Sequence, residues 1–170
     1  WLVTALLKMA KLDAGAVQFK NESFSIRSLI DRASEHLLIP MELKDVAFQV
    51  HGAPTLVMAG DEAWLSEAVA NILKNCMEHT PPGGKVTAAY EQNALYTQIR
   101  ISDTGSGIAP EDLPYIFDRF YKGKNVGADS VGIGLAMAKQ IIQKMNGTIQ
   151  VEKTSASGTV FAVRLYRSLK

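Results

Sequence analysis

Two asparagines one helical turn apart, Asn71 and Asn75, stand out as residues whose type and spacing could do chemistry. Asparagine is a poor mid-helix residue because its amide competes with the backbone for hydrogen bonds, so a stacked pair calls for either open solvent or a ligand. A side-chain amide oxygen is a neutral, hard donor, suited to a Mg²⁺ ion that already carries phosphate oxygens and waters. Further along, the apolar face of a strand pattern ends in Asp103, followed at once by Gly105 and Gly107. A carboxylate aimed at a core is costly to desolvate unless it accepts hydrogen bonds. The amino group of adenine would donate one and the carbonyl of guanine would be repelled. The bare glycines would let a flat ring approach the backbone while Ile108 covers it. A plain Asp-Thr-Gly turn that binds nothing is the alternative, as a solvated helix face is for the asparagines. Finally, Gly132-Ile133-Gly134-Leu135 opens a helical pattern and would turn bare amides toward phosphates, with Ser130 as a cap and Lys122 and Lys124 adding charge from the polar stretch before it.

These residues depend on the elements that carry them. The asparagines lie in the longest helical pattern, capped by Asp61, running to about Glu78 and closed by Thr80-Pro81-Pro82-Gly83-Gly84. Leu65, Ala68, Val69, Ile72, Leu73 and Cys76 form its apolar stripe, and Glu67, Asn71, Asn75 and Glu78 or His79 its polar one. The strand Leu95 to Ser102 puts Leu95, Thr97, Ile99 and Ile101 on the face that Asp103 continues, with Tyr96, Gln98, Arg100 and Ser102 opposite. It follows Val86 to Glu91 through a hairpin at Gln92-Asn93-Ala94. Upstream, Ser25 caps a helix to about Leu38, and 46–50 and 55–58 read as short strands. Downstream come a short helical stretch from Pro110 to Phe120, a helix from Gly132 to Met145, and strands Thr148 to Lys153 and Thr159 to Leu165. The pattern predicts an α/β (α+β) two-layer sandwich, a mixed and mostly antiparallel sheet of about five strands on about three helices.

The chain opens with Leu2, Leu6, Met9 and Leu12 or Asp13 near an a/d rhythm, read as the last turns of an amphipathic helix ended by Gly15. The expected division is therefore 1–15, a helix remnant, and 16–170, the main domain. A helix that starts at Trp1 without a cap suggests a piece of something longer. The apolar opening is interrupted by Lys8 and Lys11, far short of the roughly 20 residues that span a bilayer. With 170 residues, 47% of them hydrophobic, the chain can bury one substantial core, and a formal net charge of +1 gives no global field to attract nucleic acid. The single cysteine, Cys76, excludes an internal disulfide. A phosphate loop ending in Gly-Lys-Ser/Thr is absent. A dinucleotide fingerprint fails because Gly132 follows a polar loop instead of a strand and Met137 takes the third glycine position, although Glu152 lies at a suitable distance.

Taken in order, Asn71-Ile-Leu-Lys-Asn75, Asp103-Thr-Gly105-Ser-Gly107, Phe117-Asp-Arg-Phe120-Tyr-Lys122 and Gly132-Ile-Gly134-Leu135 closely resemble the N box, first glycine box, F box and second glycine box of sensor histidine kinases. The resemblance spans almost the whole chain, since Leu7 to Gly15 is similar to the end of the family's dimerisation and phosphoacceptor hairpin and Gly158-Thr159 matches a further glycine site. It implies the sandwich shared with ATP-driven chaperones, type II topoisomerases and mismatch-repair ATPases, and a domain that binds ATP and Mg²⁺. Asn75 would hold the metal, Asn71 the phosphates or the ion, and Asp103 the adenine amino group. Gly105, Gly107, Ile108, Gly132, Ile133, Gly134 and Leu135 would line the pocket and the base of an ATP lid. Tyr121 and Lys122 would add contacts, Lys122 to the terminal phosphate, and Phe117 and Phe120 would anchor the lid by packing. Asn71, Asn75 and Lys122 are the implied catalytic set.

Two positions depart from the family. Glu78 and His79 stand where a lysine and a tyrosine often follow the metal-binding asparagine; both remain candidate nucleotide contacts, Glu78 through water or else facing solvent, and Lys124 could restore the missing charge. Hydrolytic relatives place a glutamate one turn before that asparagine, where this chain has Asn71; a register shifted by one turn would give that role to Glu67. The family's acceptor is a histidine followed by an acidic residue, a pattern that His36, His51 and His79 do not match. The resemblance thus implies a kinase domain whose acceptor hairpin lies elsewhere in the same protein, a homodimer, a response regulator downstream, and a cytoplasmic position in a membrane-anchored bacterial sensor. A nucleotide-sensing module with a degenerate site and an ATP hydrolase are the alternatives.

Overall fold

Asp61 joins a local contact to a distant one. Its Oδ1 accepts the N–H of Trp64 at 3.0 Å, satisfying a donor of the helix it starts, and its Oδ2 accepts the N–H of Lys20 at 2.9 Å. The computed structural model of the chain describes residues 2–123 and 131–168. In chain order the elements are α1 (Leu2–Asp13), β1 (Glu22–Ser25), α2 (Ile26–Ser34), α3 (Leu38–Leu43), β2 (Ala47–His51), β3 (Val57–Gly60), α4 (Glu62–His79), β4 (Lys85–Gln92), β5 (Tyr96–Asp103), α5 (Gly134–Lys144), β6 (Gly147–Ser155) and β7 (Gly158–Tyr166).

Five strands form one mixed sheet in the order β2-β4-β5-β7-β6, with β2 parallel to β4 and every other pair antiparallel. Asn93 makes the β4–β5 turn, its Oδ1 accepting the N–H groups of Leu95 at 2.8 Å and Tyr96 at 2.9 Å. One face of the sheet, carrying Val86, Ala88, Ile99, Ile101, Phe161 and Val163, is buried under the apolar stripe of α4 and under α5. All six stripe residues from Leu65 to Cys76 are buried, as the helical spacing predicts. The two-layer α/β sandwich expected from the sequence is the observed architecture.

The differences lie in short elements. Glu22–Ser25 pairs with Val57–Gly60 in a separate two-stranded sheet, so the expected strand at 55–58 belongs outside the main sheet. With one buried residue, Phe24, the first of these strands has no alternation to read. The helix expected to reach Leu38 stops at Ser34, passes through a 3-10 turn at Glu35–Leu37 and restarts at Leu38, where Pro40 occupies a first-turn position that needs no N–H. The expected helical stretch at 110–120 is only a 3-10 turn, Leu113–Tyr115. The outer face of β5 holds a buried polar residue, Gln98, covered by Arg164, which donates to its Oε1 at 2.8 Å. Finally, α1 buries Ala5, Met9 and Leu12 in the same core as the rest, while Leu2 and Leu6 of the expected stripe remain 38% and 40% exposed.

Candidate functional site

Asp103 ends the central strand and is 8% exposed. Two backbone donors converge on its Oδ1, the N–H of Gly105 at 2.9 Å and that of Thr159 on the paired strand at 3.3 Å. Oδ2 receives no backbone donor among the described residues, so the buried carboxylate keeps acceptor capacity for a further N–H. Below it lies Cys76, fully buried, whose thiol is pushed well above its usual range first by desolvation and then by the neighbouring Asp103 charge. The strand end is walled by backbone: a side chain at Gly105 would collide with the His79 carbonyl, one at Gly107 with the Ser155 carbonyl and one at Gly158 with the Asp103 carbonyl itself. Ile108 is half-buried beside them, held by its N–H to Thr154 Oγ1 at 2.9 Å.

Midway along α4, Asn71 meets the start of α5. A Cβ placed on Gly134 would lie 3.7 Å from Asn71 Oδ1, which is ordinary contact, while Asn71 Nδ2 is buried with no hydrogen-bond partner. Asn75 is half-buried one turn further along the same face. The helix therefore acts as a ruler. Its Asn71 touches the second glycine segment, and Cys76 and His79 touch the first, five to eight residues away, or about 8–12 Å at 1.5 Å per residue. That separation suits a ligand with a flat donor-bearing head at Asp103 and acceptor oxygens at Asn71. Glu78 is exposed and lies 4.0 Å from Lys74, and its backbone carbonyl, with that of Met77, accepts from Lys44 Nζ at 2.9 and 3.0 Å. His79 is half-buried and meets Gly105 through its carbonyl.

The third motif forms a neck. Phe117 packs edge-on against Phe161 at 6.4 Å between centroids, as an anchor should. Phe120 does not pack: its ring is 59% exposed. Its part is played by the backbone, which takes a positive φ of 64° and donates its N–H to the Gly132 carbonyl at 2.9 Å. An aromatic residue in this conformation is uncommon and strained, and here it lets the chain turn back on Gly132, whose own φ is 77°. Tyr121 is half-buried and committed elsewhere, its hydroxyl donating to Asp112 Oδ1 at 2.5 Å, which with burial pushes the phenol up to about 12. Lys122 is exposed, with no hydrogen bond or ion pair among the described residues. Lys124 and Ser130 lie outside the described residues. Ile133 is fully buried, so only its backbone is left to face a ligand, and Leu135 is half-buried against the core.

Several site residues escaped the sequence reading because no local pattern marks them. Cys76 has the spacing of an ordinary core residue, and Thr154 enters the site only through tertiary contacts, its 2.9 Å hydrogen bonds with the Ile108 N–H and with Thr159 across a strand pair. Among the described residues, no three His, Cys, Asp or Glu side chains come together to hold a metal. A magnesium ion here would rest on an asparagine amide oxygen and on ligand phosphates and waters, a set to which the half-buried Asn75 could add its oxygen, while the partnerless Asn71 Nδ2 is a donor suited to a phosphate oxygen. No helix among the described residues is long and apolar enough to cross a membrane.

Residues 60–168 match the family described as histidine kinase-, DNA gyrase B-, and HSP90-like ATPase. The signal transduction histidine-protein kinase/phosphatase MprB of Mycolicibacterium vanbaalenii is 35% identical over 160 residues, 93% of this chain and 32% of that protein. Sensor protein SrrB of Staphylococcus aureus is 29% identical over 167 residues, 96% of this chain and 29% of that protein. The chain thus spans about a third of the length of these curated relatives. Among solved structures, a mycobacterial sensor histidine kinase MprB superposes with a TM-score of 0.75 at 29% identity, covering 85% of this chain and 97% of that one. Full-length ShkA in complex with AMPPNP shares the fold at a TM-score of 0.85 and 23% identity, covering 99% of this chain and 36% of that one. With the family match covering well over half the chain and kinases as its relatives, this protein belongs to the histidine kinase-, DNA gyrase B- and HSP90-like ATPases, as an ATP-binding catalytic domain of the sensor histidine kinase kind.

Proposed function

We propose that this domain binds Mg-ATP with the adenine on Asp103 and the phosphates over Asn71 and Asn75, and presents the terminal phosphoryl group to a histidine outside these 170 residues. The observation that carries this reading is the Asp103 carboxylate, 8% exposed, with both backbone donors on one oxygen and glycines at every close approach. An adenine amino group would add a further donor to the backbone N–H groups and the Cys76 thiol already at this carboxylate, and the guanine carbonyl could not. The partnerless Asn71 amide beside Gly134 supports the placement of the phosphates. Asn75 would offer its amide oxygen to the ion and Lys122 its charge to the terminal phosphate. Bound Mg-ATP supplies the activated phosphoryl group. The chain's own contribution is position and charge, because transfer to an imidazole nitrogen needs little covalent chemistry from the protein.

Transfer is favoured over hydrolysis by Glu67, the residue on α4 that a shifted register would make a base. Its carboxylate is held by Lys8 of α1, with both oxygens 2.8 Å from Nζ. The acceptor in this reading is a hairpin histidine of the same protein, α1 being the end of that hairpin. A homodimer, a response regulator taking the phosphoryl group onto aspartate, and a membrane-anchored sensor around this domain complete the proposal.

Calorimetric titration with ATP, with and without Mg²⁺ and with GTP as control, tests it. The expected result is binding that favours ATP and tightens with Mg²⁺. Equal affinity for GTP, or no binding up to about millimolar ATP, where the standard free energy is only roughly −4 kcal/mol, would overturn the assignment of Asp103.

A further inference from the structure

Asp13, the last residue of α1, is gripped from two segments at once. Arg119 forks onto it, Nη2 donating to Oδ1 at 2.6 Å and Nη1 to Oδ2 at 2.8 Å. Gln140 of α5 donates Nε2 to the same Oδ1 at 2.5 Å. A bidentate arginine fork fixes orientation as well as distance, which a point charge would not. The other end of the Gln140 amide, Oε1, is buried with no partner among the described residues. A buried acceptor left unpaired is unfavourable, so the pose of Gln140 is set by its bond to Asp13 and not by its surroundings.

The two partners of this one carboxylate belong to the segment that bonds Gly132 and to the helix that Gly134 begins. Arg119 immediately precedes Phe120, whose N–H closes the neck on Gly132. Gln140 is on α5, the helix that begins at Gly134 against Asn71. The spacing between the Phe117–Phe120 turn and α5 bears on where Gly132 and Gly134 stand relative to Asn71; Lys139 of α5 spans it with its Nζ 5.4 Å from the Phe117 ring centroid, and Asp13 spans it with hydrogen bonds to both sides.

We propose that Asp13 is a positioning residue for the triphosphate, acting through Arg119 and Gln140 to hold the neck and the start of α5 in register with Asn71. The inference rests on the ATP reading above and adds a coupling to it. Because Asp13 terminates α1, a displacement of that helix releases both contacts together and weakens phosphate binding. Linkage then requires that bound nucleotide tighten the hold on α1.

The test is the affinity of the chain for ATP and for adenosine, each with Mg²⁺, in Asp13→Asn, Asp13→Glu, Arg119→Gln and the double variant Asp13→Asn/Arg119→Gln. Asp13→Asn and Arg119→Gln are each expected to weaken ATP binding about threefold to fivefold, the upper range for a solvent-accessible ion pair. Adenosine binding should be unchanged, because the base end at Asp103 is held by other contacts. The double variant should lose no more than either single one, and Asp13→Glu should retain most of the affinity. An equal loss for ATP and adenosine would mean general loosening and would overturn the inference, as would unchanged ATP binding in Asp13→Asn or additive losses in the double variant. Failure of the unaltered chain to bind ATP would overturn the nucleotide reading and this inference together, whereas the other results leave the nucleotide reading standing.

Discussion

Lys8 Nζ lies 2.8 Å from both carboxylate oxygens of Glu67, joining α1 to the polar face of α4 one turn before Asn71. A carboxylate held in this way is directed at a helix and not at the glycine segments. Glu67→Ala should therefore leave ATP affinity within about twofold, as expected for an accessible ion pair. Asn75→Ala should cost about 100-fold or more in phosphoryl transfer to a separately supplied acceptor hairpin, the scale of losing one charge-stabilising group. Phosphate release that disappears in Glu67→Ala and survives in Asn71→Ala would instead favour a hydrolase.

Asp103→Asn keeps an oxygen for the N–H groups of Gly105 and Thr159 but replaces the remaining acceptor by an NH₂ donor. Two donors then face each other when adenine binds. The expected loss is about 1–3 kcal/mol of ATP affinity, the cost of an unpaired buried polar group, with the melting temperature little changed. Calorimetry and a thermal melt of the same sample distinguish this from unfolding.

Gly158 has a φ of 136°, and a side chain there would run into the Asp103 carbonyl. Gly158→Ala should destabilise the fold by about 1–3 kcal/mol from backbone strain alone, before the collision is counted. Denaturant unfolding measures it. A midpoint equal to that of the unaltered chain would show that the β6–β7 turn is not rigidly seated on the end of β5.

The Tyr121 phenol is pushed up to about 12 from an ordinary value of 10.0, chiefly by its hydrogen bond to Asp112. A folded-state value above the unfolded one means that the contribution is fully present below pH 10.0 and is lost as pH rises toward about 12. Ultraviolet titration of phenolate should show one late-ionising tyrosine, absent in Tyr121→Phe. If every tyrosine ionised together near pH 10.0 in the folded chain, the Asp112 contact would not hold in solution.

None of His36, His51 and His79 is followed by the acidic residue expected of a phosphoacceptor, and His36 and His51 are exposed at sites far along the chain from the glycine segments. Incubated alone with Mg-ATP, the chain should accumulate no acid-labile phosphohistidine. Detection of such a product would place the acceptor within these residues and contradict the proposed division of labour.

What the sequence by itself determined was whatever repeats within a few residues. The period of Leu65 to Cys76, the cap at Asp61, the alternation of β5 and the glycines after Asp103 are local, and each forecast its element and the face on which the asparagines and the aspartate lie. The tertiary structure alone decided which distant groups meet. Nothing near Asp13 announces Arg119, nothing near Glu67 announces Lys8, and Phe120 looked like a packing anchor until its exposed ring and its bond to Gly132 showed a backbone role. The physical reason is that periodicity reports burial, which depends on one face of one element, whereas a hydrogen bond between elements depends on how they pack. Here α1, the neck and α5 converge on a single carboxylate only because α1 buries Ala5, Met9 and Leu12 in the common core.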